Sequence, residues 1–168
     1  MDGKLISFEK REKTMSASLS PLKDINMKNI VDKNRSNLPL YQVVENSIKN
    51  YIQAAKENSN SLINNVNAKL NITVDETVVG SVISGLLHAA ISHVKDSRIY
   101  ISAKELYGQM VEINVKDDNC YNAYAVALSL QEVVPLAAKI GGHLNISNQR
   151  QKITTISFTF PIAAEQDI

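Results

Sequence analysis

The feature that most constrains the fold of this chain is a central run of apolar residues spaced by three and four positions. The run consists of Val79, Val82, Ile83, Leu86, Leu87, Ala90, Ile91 and Val94. This spacing is typical of one helical face, so the run predicts a helix that packs on a core. Thr73 and Glu76 lie just before it with the spacing of a capping box. We therefore predict that this box begins the helix.

A second helix and several strands surround this run. The same helical spacing occurs earlier, at Leu40, Val43, Val44, Ile48, Tyr51, Ile52 and Ala55. Strands are predicted, largely from alternating apolar and polar residues, at Leu62–Val66, Leu70–Ile72, Arg98–Lys104, Val111–Val115, Leu144–Ile146 and Ile156–Phe160. A turn at Glu105–Gln109 is expected to join two of them as a hairpin.

A last helix is predicted between the polar loop at Asp117–Asn122 and Ile140, where Gly141 and Gly142 stop it. Pro135 lies inside this stretch, so the helix either starts near the proline or kinks there. The order of elements indicates an α/β (α+β) two-layer sandwich. We predict a mixed, mostly antiparallel sheet with about three helices packed on one face.

Composition limits the classes of function. A length of 168 residues fits one domain, which we place at residues 38–162, with a polar arm at 1–37 and a short tail at 163–168. The net charge of +1 gives no electrostatic footprint for nucleic acid. Cys120 is the single cysteine, so an internal disulfide is excluded. No apolar stretch is long enough for membrane insertion, and we expect a cytoplasmic protein.

Four segments of the chain carry a family resemblance when they are taken in order. They are the box from Gly85 to His93, Asp117 after a strand, Ala127–Leu130 at the start of a helix, and the ending from Ile140 to Pro161. This order resembles the catalytic ATP-binding domain of sensor histidine kinases, within the GHKL ATPase superfamily. The resemblance runs from about Leu40 to Pro161 and implies a Bergerat-type ATPase fold.

The chain departs from that family at the positions that would bind ATP and magnesium. The resemblance implies asparagines and a lysine in the first box, and glycines in the next two. The residues that stand there are Gly85, Ala89 and Ser92, then Asn119 and Tyr121, then Ala127 and Ser129. Glycines allow the backbone to approach phosphates, and magnesium needs oxygen ligands. In addition, only ten positions separate Asp117 from Ala127, which leaves no room for an ATP lid.

Two positions keep residues that the resemblance implies for adenine recognition. They are Asp117, which would accept the adenine amino group, and Thr155 on the last strand. A plain structural interpretation is open beside this one, and for Asp117 we favour a turn residue. We expect His88 and His93 to be ordinary helix residues rather than metal ligands, and Cys120 to be an unreactive thiol.

These observations lead to one leading hypothesis and two alternatives. The leading hypothesis is a degenerate, catalytically inactive domain that binds no cofactor and acts through protein contacts in two-component-type signalling. The first alternative is a divergent active domain that binds ATP and magnesium through Asp117 and Thr155. The second is a structural or oligomerising protein, such as a homodimer formed through the arm at residues 1–37.

Overall fold

A computed structural model describes residues 37–120 and 122–163. The predicted arm up to residue 36, the predicted tail beyond residue 163, and Tyr121 lie outside the described residues. The oligomerisation hypothesis that rests on the arm therefore stays a prediction.

The described chain forms a five-stranded sheet and a separate two-stranded ribbon. The strands are β1 Leu38–Pro39, β2 Ser61–Asn64, β3 Asn71–Ile72, β4 Arg98–Leu106, β5 Met110–Asp117, β6 His143–Gln149 and β7 Ile153–Pro161. The order in the large sheet is β2-β4-β5-β7-β6, and β1 pairs with β3 in the ribbon. The β2–β4 pair is parallel and the other pairs of the large sheet are antiparallel. The predicted mixed, mostly antiparallel sheet is confirmed.

The hairpin between β4 and β5 is tighter than the sequence suggests. The predicted turn at Glu105–Gln109 is too long, because the strand pairing continues to Leu106 opposite Met110. The chain reverses through Gly108 and Gln109, which have positive φ angles of 82° and 59°. Two residues in this conformation allow a short connection. Glu105 and Leu106, which the sequence assigned to the turn, therefore belong to β4.

Within the described residues, two long and two short helices accompany the sheet, where about three were predicted. They are α1 Leu40–Glu57, α2 Glu76–Ser92, α3 Ala123–Ser129 and α4 Val134–Ala138. The last predicted helix is divided in two, and Pro135 lies in the first turn of α4. A proline has no N–H to donate, which is harmless in a first turn and disruptive inside a helix. The interpretation that a helix starts near Pro135 is therefore correct.

The predicted capping box is wrong. Helix α2 is capped by Asp75, whose Oδ1 accepts hydrogen bonds from the N–H groups of Thr77 at 2.8 Å and Val78 at 3.3 Å. Thr73 instead donates its N–H to the carbonyl of Ile162 at 2.8 Å. Because Asp75 lies directly before the first helical residue, its carboxylate reaches the free N–H groups that an N-cap must satisfy.

The core lies between the helices and one face of the large sheet. The inward strand residues are Ile99, Ile101, Val111, Ile113, Val115, Ile156, Phe158 and Phe160, all of them buried. Phe158 and Phe160 contact each other, with ring centroids 4.6 Å apart. Helix α2 is the central helix, since it buries most of its apolar residues. The predicted two-layer sandwich is confirmed.

Candidate functional site

The candidate site is built around Asp117, the last residue of β5. Its side chain is buried, with 2% of the residue exposed. Oδ1 accepts hydrogen bonds from the Ser97 hydroxyl at 2.8 Å and from the Asn119 N–H at 2.6 Å. The bond to Asn119 closes an Asx turn, as expected for a turn residue. Among the described residues, Oδ2 is the one buried side-chain oxygen or nitrogen with no hydrogen-bond partner.

Two adjacent carboxyl groups at this site have opposite pKa shifts. Burial raises the pKa of Asp117, because a charged group is costly away from water, and the nearby charge of Asp118 adds to the increase. Burial also acts to raise the pKa of Asp118, but hydrogen bonds from the Arg98 N–H and the Ser97 hydroxyl outweigh it and lower the pKa. The Arg98 guanidinium, 3.4 Å away, contributes to this lowering.

A small cavity adjoins Asp117 at the interface of the sheet and the helices. Its lining residues are Ala90, Val94, Val115, Asp117, Cys120, Val126, Thr154 and Ile156. The cavity volume is about 10 Å³. This is close to the least space that one water molecule requires, and it is far below the size of a nucleotide base.

The register of β5 and β7 selects a different threonine from the one predicted. Asp117 lies opposite Thr154, which is buried and lines the cavity. Thr155 lies opposite Lys116 and is half-buried. Because successive strand residues point to opposite faces, Thr155 is directed to the other side of the sheet. The structure therefore brings Asp117 together with Thr154 and not with Thr155.

The three predicted box positions on α2 have different environments. Gly85 faces the segment between α3 and α4, and a Cβ atom added at Gly85 would lie 2.5 Å from the Val133 Cγ2 atom. Ala89 is fully buried and Ser92 is exposed. Val133 therefore packs directly on the helix at a position where the resemblance implies an asparagine.

Two of the remaining predicted box positions, Asn119 and Ser129, connect the loop after β5 and α3 to the end of α2. The Asn119 amide donates a hydrogen bond to the Lys95 carbonyl at 3.1 Å. The Ser129 hydroxyl lies 2.7 Å from the Nε2 atom of His93, which links α3 to the end of α2. Ala127 is half-buried on α3. The contacts of Asn119 and Ser129 attach the loop after β5 and helix α3 to the end of α2.

Two residues that support Asp117 were missed by the sequence analysis. Ser97 donates to both Asp117 and Asp118. Its position is fixed by the buried Asn60, whose side chain accepts from the Ser97 N–H at 3.1 Å and donates to the Val94 carbonyl at 3.0 Å. Their sequence signal is only that of turn residues, because the partners of Asn60 are more than thirty positions away.

A groove lies away from Asp117, between α1 and α2. It has a volume of about 570 Å³, and Asn46, Asn50, Ser81 and Ser84 are among the residues that line it. Glu76 is its one carboxylate, so the groove brings together no acid–base pair. We find no catalytic arrangement there.

The described residues contain neither a metal-ligand cluster nor a membrane-spanning helix. No three His, Cys, Asp or Glu side chains of the described part of the chain lie close enough to hold one metal ion. His88 and His143 are exposed. Within residues 37–120 and 122–163, no helix combines the length and the apolar character that crossing a membrane requires.

Comparison with known proteins finds a likeness of fold. No protein-family model matches the sequence, and no curated protein matches it significantly. Among solved structures, the catalytic domain of histidine kinase ThkA matches with a TM-score of 0.63 and 13% identity, over 78% of this chain and 99% of that chain. The Acinetobacter baumannii histidine kinase AdeS matches with a TM-score of 0.63 and 12% identity, over 96% of this chain and 87% of that chain.

Two further matches are complexes. Full-length ShkA in complex with AMPPNP matches with a TM-score of 0.67 and 16% identity, over 79% of this chain and 32% of that chain. ThkA in complex with the response regulator TrrA matches with a TM-score of 0.65 and 15% identity, over 99% of this chain and 54% of that chain. These likenesses show that the chain has the fold of histidine-kinase catalytic domains, as its sequence predicted.

Proposed function

We propose that this chain is a histidine-kinase-like ATPase domain that has lost phosphoryl transfer and acts as a protein-binding module in two-component-type signalling. The observation that carries the proposal is the closed space beside Asp117. In the resembling family this aspartate receives adenine, yet here the side chains that line the cavity, Cys120 and Val126 among them, leave it a volume of about 10 Å³. A base would have to displace several of these side chains and the elements that hold them.

The phosphate end of the expected site supports the same proposal. Ala89 is buried and offers no oxygen to magnesium, which requires oxygen ligands. Val133 occupies the space next to Gly85. Phosphoryl transfer depends on metal ions and donors held in position around the phosphates. The residues at these positions do not fit a magnesium nucleotide.

A signalling role is supported by the fold rather than by a reactive group. Relatives in fold include ThkA in complex with the response regulator TrrA. We propose a protein of the same type as the partner of this chain. Titration of the chain with receiver domains tests this part, and a complete lack of binding across such domains would contradict it.

Calorimetric titration with ATP and with AMPPNP, each with and without magnesium, tests the loss of nucleotide binding. We expect no saturable heat at millimolar nucleotide, because no described cavity beside Asp117 admits the base. ShkA, whose structure contains AMPPNP, is the positive control for the reagents. Saturable binding that Asp117→Asn abolishes and the neighbouring Asp118→Asn preserves would refute the proposal.

One observation favours the alternative of a divergent nucleotide-binding domain. The Oδ2 atom of Asp117 is buried without a hydrogen-bond partner among the described residues, although such groups are nearly always satisfied. An amino group of a base would satisfy it if Cys120 and Val126 moved. A melting-temperature series with ADP separates the two functions, since a ligand that binds only the folded state stabilises it by mass action. An upward shift that depends on Asp117 would favour the alternative.

A further inference from the structure

The outer edge of β6 is an open hydrogen-bonding surface of the described domain. β6 is the last strand of the large sheet and pairs only with β7. Its seven residues keep an unbroken register, from His143 opposite Thr159 to Gln149 opposite Ile153. Within the described residues, no backbone hydrogen bond joins the stretch from His143 to Asn148 to any element other than β7.

Proteins usually protect such an edge, and β6 lacks the usual protections. Charged side chains, prolines, bulges and very short strands all discourage another chain from pairing with an edge. β6 reads His-Leu-Asn-Ile-Ser-Asn-Gln, with no lysine, arginine, acidic residue or proline. The opposite edge differs, because β2 has four residues and its Asn64 side chain is hydrogen-bonded to Glu45 of α1 at 2.8 Å.

We propose that β6 pairs antiparallel with β6 of a second copy of this chain, which makes one continuous sheet through a two-fold dimer. In a two-fold contact, a residue on the axis faces the same residue of the second copy. Away from the axis, if one residue faces a second residue of the other copy, that second residue also faces the first. With Asn145 on the axis, Leu144 lies opposite Ile146 of the second copy and His143 lies opposite Ser147. Matching apolar residues across the pair sets this register, and no like charges meet.

Exposed apolar residues on α3 and α4 support the proposed contact at the β6 edge. Tyr124 and Leu128 on α3 and Val134 on α4 are 75%, 47% and 51% exposed. Both helices pack on β6. Large exposed apolar side chains on two helices that pack on β6 are available to a partner seated there. A second copy seated on the β6 edge adds helix contacts to the strand pairing. The pairing is independent of nucleotide binding, because β6 contributes no residue to the cavity beside Asp117.

The test is sedimentation equilibrium of the full chain and of Asn145→Lys. Asn145 is exposed, so the substitution is compatible with the fold, and circular dichroism verifies this. We expect a reversible dimer for the original chain. In the variant two lysines oppose each other on the axis, which raises the dimer dissociation constant about tenfold or more. A monomeric original chain, or a variant that dimerises equally well, overturns the proposal.

A charge exchange tests the register itself. Asn145→Asp alone is expected to weaken the dimer as the lysine variant does, and an equimolar mixture of the two variants is expected to regain it. Opposite charges then meet on the axis. Ser61→Lys, an exposed substitution on the other edge strand, is the matched control and is expected to leave the dimer unchanged. A mixture that stays monomeric, or a control that dissociates, overturns the pairing.

Discussion

At the residue scale, the burial of Asp117 makes its charged form costly in the folded protein. Its pKa is raised from the ordinary value of 3.8, chiefly by burial. Below pH 3.8 the carboxyl group is protonated in the folded and the unfolded chain, so it imposes no cost. As the pH rises through the raised pKa, the folded state must bury a charge and loses stability relative to the unfolded state.

The first prediction concerns the pH dependence of stability in Asp117→Asn. The amide keeps an acceptor oxygen for Ser97 and Asn119 but never ionises. We expect the free energy of unfolding of the variant, relative to the original chain, to increase as pH rises above about 4 and then to level off. Urea unfolding between acidic and neutral pH measures this difference.

Asp118→Asn is the control for this prediction, because the pKa of Asp118 is lowered. Its contribution to stability is present above pH 3.8 and is lost as pH falls through the lowered pKa. The relative stability of this variant therefore decreases as pH rises. A pH-independent difference for Asp117→Asn would show that its charge is not buried at a cost.

The second prediction contrasts two glycines of α2. Gly85→Ala places a Cβ atom 2.5 Å from Val133 Cγ2, whereas Gly80→Ala places one at an ordinary 3.8 Å from Val43. Overpacking costs about 1–3 kcal/mol. Replacing glycine by alanine inside a helix gains about 1 kcal/mol. We expect Gly80→Ala to stabilise the protein and Gly85→Ala to destabilise it.

Chemical denaturation of both variants measures the contrast. Val133→Ala removes the two Cγ atoms that a Cβ atom at position 85 would meet at 2.5 and 3.2 Å, so the double variant is expected to be more stable than additivity of the two single variants predicts. Equal effects of the two glycine substitutions would show that the segment between α3 and α4 yields freely to a larger residue on α2.

At the scale of elements, the β6–β7 hairpin is closed by a turn without glycine. Arg150 and Gln151 have positive φ angles of 55° and 56°. For residues with a side chain beyond glycine this conformation costs about 1–2 kcal/mol each. The turn nevertheless holds the register, and the Lys152 N–H donates to the Gln149 carbonyl at 3.2 Å. Pairing along the two strands therefore compensates for local strain.

The third prediction follows from this strain. Gln151→Gly is expected to stabilise the protein by about 0.5–1 kcal/mol, because glycine adopts positive φ freely and this relief exceeds its greater entropy loss on folding. Lys152→Gly is the matched control: its φ is not positive, so it gains no relief and pays the entropy loss. Thermal unfolding of both variants measures the effect. Equal melting temperatures would mean that the turn stores no strain.

At the scale of the whole molecule, a single core connects the helices to the sheet. The short helical segment from α3 to α4 joins this core through Val126, Leu130, Val133 and Ala137, all of them buried. The same segment closes the cavity beside Asp117. Its stability therefore decides whether the cavity opens independently of global unfolding.

The fourth prediction is that this segment unfolds together with the core. Amide hydrogen exchange of Val126 and Leu130 is expected to report the same free energy of opening as that of Ile113 in β5, because all three residues are buried in one cluster. Native-state exchange measured by NMR supplies these values. Exchange of the α3 amides at much lower free energy would show a separate opening that admits ligand to Asp117.

Much of the fold was predictable because helices and strands leave periodic signals. The run from Val79 to Val94 and the alternation in β4, β5 and β7 gave elements that the structure confirms. The sequence-based predictions are wrong where one local pattern is compatible with two structures. Thr73 fits a capping box in sequence, but pairing near the chain end at Ile162 leaves capping to Asp75. The contact between Thr73 and Ile162, which are distant in sequence, therefore decides which residue caps α2.

The candidate site was only partly predictable. Asp117 was identified from the family resemblance together with its place after a strand, but its burial and its unpartnered Oδ2 depend on residues that are distant in sequence. Thr154 and Thr155 are adjacent and identical, so only the strand register decides which one faces Asp117. Asn60 and Ser97 have no signal of their own in the sequence.

The sequence by itself determined the order of the two long helices and of the strands in the large sheet, and the residue types at each box position, because both are properties of the chain read along its length. The tertiary structure alone decided that Val133 packs on Gly85 and that the cavity beside Asp117, lined by Cys120 and Val126 among others, has a volume of about 10 Å³. Whether a space is filled depends on side chains brought together from α2, the loop after β5 and α3. The spacing of residues along the sequence does not show which of these side chains pack together.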